Sequence, residues 1–206
     1  QMAADAAKST PKKEKPKQGE PLVFDDPEPS GLPQNGAILL EDLVRQILRF
    51  LVADSECIDS MALWIVFSHM ASMAAVCPNL CFTSATKACG KSTALEIVRR
   101  LVPRPLATSN ISTAALFRTI DAYTPTMIID EADSMFRTND EIRTIMNSGF
   151  TRKSASAIRI VGEDLEPRIF NVFCPKAIAL IGSLPDTLAS RSIIIQMRRR
   201  KPNEEV

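Results

Sequence analysis

One histidine, one tryptophan and one tyrosine in 206 residues leave several kinds of chemistry without their usual parts. A Ser-His-Asp or Cys-His catalytic machine would have to be built on His69 alone. The five cysteines, at 57, 77, 81, 89 and 174, are odd in number and contain no Cys-x-x-Cys. Neither a disulfide framework nor a zinc site is therefore expected, and a reducing cytoplasm is the natural setting. No apolar run reaches the roughly 18 residues of a membrane span, and the start of the chain lacks a signal-peptide pattern, so no membrane partner is expected. A net charge of +1 gives no global field for nucleic acid; any such surface has to be a local patch. What is present, 45% hydrophobic and 24% charged residues, describes one globular domain with some tail.

Residues 1–36 carry Pro11, Pro16, Pro21, Pro27, Pro29 and Pro33 among lysines and acids, the composition of a disordered linker. A helical segment is expected over 37–77. Its first helix runs from Ile38 to Leu51 with a 3.6-residue apolar period, and its second, from Asp59 to Ala75, is apolar on most faces and so buried. From Pro78 to Arg200 strands and helices alternate. Strands are predicted at Asn79–Ser84, Leu106–Ser109, Met127–Asp130, Lys176–Ile181 and Ser192–Met197. Helices are predicted at Lys91–Leu101, from Ser112 to Ile120, at Asp140–Asn147 and at Pro185–Ser190. Ala157–Val161 and Arg168–Phe173 flank Gly162 to Pro167 and read as a β-hairpin inserted in the sheet. The fold class is α/β, a three-layer sandwich with a mainly parallel sheet, and 201–206 is a polar tail.

Two segments carry chemistry. Ala85-Thr86-Lys87-Ala88-Cys89-Gly90-Lys91-Ser92, followed by Thr93, joins a strand to a helix, where backbone N–H groups and the helix N-terminus can surround phosphate oxygens. Lys91 would neutralise phosphate charge and Ser92 would offer its hydroxyl to Mg²⁺. Ala85 stands where the usual pattern has glycine, so that turn needs a conventional backbone, while Gly90 is present where close phosphate approach requires it. Cys89 reads as a small spacer, with redox control of ATP binding as the minor alternative. Further on, the apolar residues Met127-Ile128-Ile129 lead into Asp130 and Glu131. Asp130 suits the metal shell and Glu131 the polarising of a water. The alternative, a charge pair at a helix N-terminus, leaves the preceding strand unexplained; Asp133 is a cap or surface charge.

Ser183 follows the strand Lys176 to Gly182, either sensing the γ-phosphate or serving the turn. Arg191, in Leu-Ala-Ser-Arg-Ser just before the last strand, is a candidate to reach the γ-phosphate of a neighbouring subunit, with a surface salt bridge as the alternative.

Ala62-Leu63-Trp64, Pro78-Asn79-Leu80, Cys89-Gly90-Lys91-Ser92, Ser109-Asn110-Ile111-Ser112, Ile129-Asp130-Glu131-Ala132-Asp133, Asn147-Ser148-Gly149 and Leu184 through Ser192 occur in order. On these stretches the chain from Ile38 to Glu205 resembles a P-loop ATPase domain family of phage, plasmid and integrative-element proteins, often joined to primase-like modules. It also resembles helicase-type AAA+ ATPases that insert a hairpin before the strand bearing the first sensor. The resemblance implies ATP and Mg²⁺ as cofactors, a homo-oligomer with Arg191 acting across the interface, and single-stranded DNA as a partner. It also implies a helical lid after the last strand, which is expected to be absent here. Arg152, Lys153, Arg159 and Arg168 near the hairpin base are the DNA candidates, whereas the tip Glu163-Asp164-Leu165-Glu166 is acidic and would repel phosphates. The leading expectation is a DNA helicase or remodelling motor of a mobile element. A non-hydrolysing nucleotide switch or assembly module, a truncated remnant among its forms, stands as the alternative, and a small-molecule kinase is third.

Overall fold

The structure, a computed structural model, describes residues 19–26 and 28–204. Half of the expected linker, residues 1–18, lies outside them. The described part of that segment has no regular secondary structure, but it is not free of the body: Phe24 packs 5.6 Å from the Tyr123 ring and Asp26 pairs with Arg104.

Five strands, β1 (Asn79–Ser84), β2 (Pro105–Thr108), β3 (Thr126–Ile129), β6 (Lys176–Ile181) and β7 (Ser192–Gln196), form one parallel sheet in the order β2-β3-β6-β1-β7. Seven α-helices occur among the described residues: α1 (Gly36–Leu48), α2 (Ser55–Met70), α3 (Lys91–Leu101), α4 (Thr113–Tyr123), α5 (Ala132–Thr138), α6 (Asp140–Ser148) and α7 (Asp186–Ala189). The central strands are apolar along their length because both faces are covered. On one face Leu80, Phe82, Ile128 and Ala179 pack with Ile47, Trp64 and Val98 of α1, α2 and α3. On the other, Cys81, Met127, Ile178 and Leu180 pack with Leu116, Phe136, Ile145 and Leu188 of α4 to α7. This split follows from handedness. The connection from β1 runs outward to β2 and the later ones run back, so right-handed crossovers carry α3 and α4–α7 on opposite faces.

Local chemistry sets the boundaries. Asn35 caps α1 by accepting from Ala37 and Ile38 N–H, and Ser112 caps α4 by accepting from Ala115 N–H at 3.2 Å. Trp64 Nε1 donates to the Pro78 carbonyl at 2.8 Å, tying α2 to the entry of β1. The second helix starts at Ser55, four residues before the sequence placed it, and gives way after Met70 to a 3₁₀ turn over Ala71–Met73.

The hairpin differs from expectation. Its strands, β4 (Ser156–Val161) and β5 (Glu166–Asn171), form a separate two-stranded antiparallel sheet rather than an insertion in the main one. It is held beside α4, where the Phe117 and Phe170 rings pack 4.7 Å apart. Val172 and Phe173, read as strand, instead form with Cys174 a buried link into β6.

Candidate active site

Parallel strands aim their carboxyl ends the same way, and β1 sits where the strand order reverses, the position at which open α/β sheets form a ligand crevice. The loop Ala85–Gly90 leaves β1 at that edge. Ala85 keeps a conventional backbone as expected; the left-handed turns fall at Ala88, φ 60°, and Gly90, φ 83°. Gly90 is the residue from which α3 starts, and the first-turn N–H groups of that helix have no intrahelical acceptor, so they face the crevice as donors.

Lys91 folds over the loop. Its Nζ donates to Ser84 Oγ at 2.6 Å and approaches the Thr86 carbonyl at 3.5 Å, while Ser84 Oγ donates to the same carbonyl at 2.6 Å. Ser92 Oγ donates to Asp130 Oδ2 at 2.9 Å, joining two segments 38 residues apart. Asp130 follows β3 and its second oxygen accepts from Glu131 N–H at 2.9 Å. Glu131 has φ 54° and is the N-cap of α5, with Asp133 in the first turn paired to Arg137. The strand and the helix N-terminus, set against each other as alternatives in the sequence, therefore both exist, separated by a left-handed hinge at Glu131. Thr86 Oγ1 lies 3.5 Å from Cys89 Sγ and holds that thiol below its usual range, with Ser84, Lys91 and Arg199 adding to the effect against desolvation.

Ser183 is brought to the same edge. β6 lies next to β1, Gly182 N–H donates to the Ser84 carbonyl at 2.9 Å, and Ser183 is exposed immediately after it. Arg191 is not. Its carbonyl accepts from Asn79 N–H at the start of β1, so it stands at the opposite edge, about 17 Å away along a six-residue strand. There it donates to the Thr187 carbonyl at 2.5 Å and to Asn147 Oδ1 at 3.3 Å, and it lies 5.9 Å over the Phe150 ring. It cannot serve its own loop.

Two clefts flank the loop. One of about 340 Å³ is lined by Ser92, Thr108, Ser109 and Asp130, with Glu96 and Arg99 beside them. The other, of about 530 Å³, lies between the segment Val52–Asp54 and the end of β7, and brings Cys57, Thr86, Cys89, Met197 and Arg199 together. Sequence reading singled out Ser92, Asp130, Thr86 and Cys89 and passed over the others. Ser84 had a signal as the last strand residue before the loop, and Arg198-Arg199-Arg200-Lys201 had one as a charge run; the contribution of Val52–Asp54 had none.

The four cations proposed for DNA are mostly engaged at home. Arg152 donates to the Ala71 and Ala74 carbonyls and lies 4.1 Å over Phe173, Arg159 pairs with Glu141, and Arg168 pairs with Glu166. Lys153 makes no ion pair among the described residues. No helix among the described residues is long and apolar enough to cross a membrane. No family model matches this chain, and no curated protein is significantly similar to it.

Proposed function

We propose that the chain binds ATP with Mg²⁺ in the crevice at the carboxyl edge of the sheet and hydrolyses it as a P-loop ATPase, in the service of a DNA helicase or remodelling motor. The observation that carries this is the meeting of Ser92 with Asp130 beside Lys91. The donor set fits the ion. Ser92 Oγ and Asp130 Oδ2, a hydroxyl and a carboxylate oxygen 2.9 Å apart, are hard oxygen donors of the kind Mg²⁺ prefers, and these two residues would hold it.

In this reading Ser92 and Asp130 would hold the ion, which would supply positive charge against the phosphates. The chain's own residues do the rest. The N–H groups at the start of α3 orient the phosphates, Lys91 leaves Ser84 to neutralise them, and Glu131 orients the attacking water and accepts its proton. Ser183 is placed to hydrogen-bond the terminal phosphate or that water, and the 530 Å³ cleft is the space for the base. Arg191, at the far edge, would act only in a neighbouring subunit's site, and would have to leave Thr187 and Asn147 to do so.

The test is ATP hydrolysis with and without single-stranded DNA. Turnover is expected to rise with DNA and to fall about a hundredfold or more in Glu131→Gln while ATP binding is kept. Arg191→Ala should lose turnover alone and regain part of it when mixed with Lys91→Ala. Tight ATP binding without turnover in the wild type would favour the non-hydrolysing switch, and unchanged turnover in Glu131→Gln would remove Glu131 from the mechanism.

A further inference from the structure

The β4–β5 hairpin has its polarity reversed. In register, Ala157, Arg159 and Val161 share a face with Phe170, Arg168 and Glu166, and this face turns to the body, where Arg159 lies 5.0 Å over the Phe117 ring. The opposite face presents Ile158, Ile160, Ile169 and Pro167 to solvent, the isoleucines 61%, 59% and 72% exposed. Leu165, in the turn and 71% exposed, extends the patch. At the tip Glu166 is paired with Arg168, whereas Glu163 and Asp164 make no ion pair among the described residues. The surface is therefore an apolar strip ending in two surplus negative charges, on a strand pair that alone would be marginally stable.

A complementary surface exists on the same chain. Between α1 and α3 runs a groove of about 690 Å³ whose apolar lining is Phe50, Ile97 and Leu101, with Gln46, Glu96 and Arg100 at its margin. Phe50 is 55% exposed, and Arg49 lies 5.4 Å over its ring, bonded to Gln46 and to no carboxylate among the described residues. Arg99 and Arg100 share the single carboxylate of Glu96. Beside the groove Arg49 is thus a surplus positive charge, while Arg100 on its margin shares Glu96 with Arg99, which faces the neighbouring 340 Å³ cleft.

We propose that a second copy of this chain joins these surfaces, the isoleucine face and acidic tip of one hairpin lying in the α1–α3 groove of the next copy. Apolar area meets apolar area, and the acidic tip meets a margin where Arg49 and Arg100 stand. One copy cannot satisfy itself, because the hairpin sits on the α4 side of the sheet and the groove on the α3 side. The contact is therefore head to tail, and repeated it closes into a ring or continues as a filament. Association between copies is concentration-dependent. It needs no nucleotide, and so stands or falls separately from the ATPase reading.

The test is light scattering of the full chain over a concentration series without nucleotide. The wild type should grow in mass, and both Ile158→Ser/Ile169→Ser and Arg49→Glu/Arg100→Glu should associate about tenfold more weakly. Mixed, these two variants retain one intact hairpin and one intact groove and should stop at a dimer. A charge exchange guards against a misfolded variant: a chain carrying Glu163→Arg/Asp164→Arg together with Arg49→Glu/Arg100→Glu should associate with itself, though a chain with either pair of changes alone does not. A wild type that stays monomeric, variants that assemble like it, or a loss that mixing fails to restore would overturn the proposal. The last of these would mark a hairpin-to-hairpin contact. DNA binding by a monomer that is lost in the isoleucine variant would assign the face to nucleic acid instead.

Discussion

Gly149 ends α6 against a fully buried lysine. Lys176 Nζ donates to the Cys174 carbonyl at 2.8 Å and to the Gly149 carbonyl at 3.3 Å. A Cβ at 149 would lie 2.7 Å from that Nζ and overlap the Val172 carbonyl oxygen. Gly149→Ala is predicted to destabilise the fold by about 3 kcal/mol, read by chemical unfolding; a loss below about 1 kcal/mol would contradict this packing. The neighbouring thiols are sealed in by the same burial, which pushes Cys77 up to about 12 and Cys174 in the same direction. Gly149 was legible in the sequence as a helix stop. The burial of Lys176 was not, because the two carbonyls that offset its desolvation come from a turn and a link that only the tertiary fold brings together. The placing of Lys91 and Ser92 at the start of α3 and of Asp130 after β3 was legible for the opposite reason: a loop into a helix and an apolar run ending in a carboxylate are local patterns.

At the scale of elements, α3 shows how charge is managed beside the crevice. Arg99, then Arg100, hold the Glu96 carboxyl well below its ordinary 4.5, at about 2. A carboxyl lowered in the folded state contributes stability above its unfolded pKa and loses it as pH falls through the folded one. The difference in thermal midpoint between wild type and Glu96→Gln is thus predicted to be full above about pH 4.5 and to shrink as pH falls towards 2. Because all three side chains are solvated, the difference should also shrink with salt. A difference that grew on acidification would refute the pairing. The strands β1 and β6 and the helix α3 begin and end where the sequence put them, since apolar runs and Pro103 bound them. Helix α5 was missed: seven residues give little periodicity, and its N-cap is a glutamate in a left-handed turn rather than a usual capping residue.

For the whole molecule, alternation of strands and helices was enough to read an α/β sandwich, but strand order and the hairpin's separation from the sheet were not readable, because both depend on contacts between distant segments. That order sets the layout on which the account rests. It gathers Lys91, Ser92, Asp130, Glu131 and Ser183 at one edge and leaves Arg191 at the other. It also puts the hairpin and the α1–α3 groove on opposite sides. The central claim is the nucleotide site, and the most direct measurement is equilibrium binding of Mg·ATP to the wild type and to Lys91→Ala. The account predicts saturable binding by the wild type, dependent on Mg²⁺, and a loss of at least about tenfold in the variant. Absence of binding by the wild type, or equal binding by the two, would contradict it.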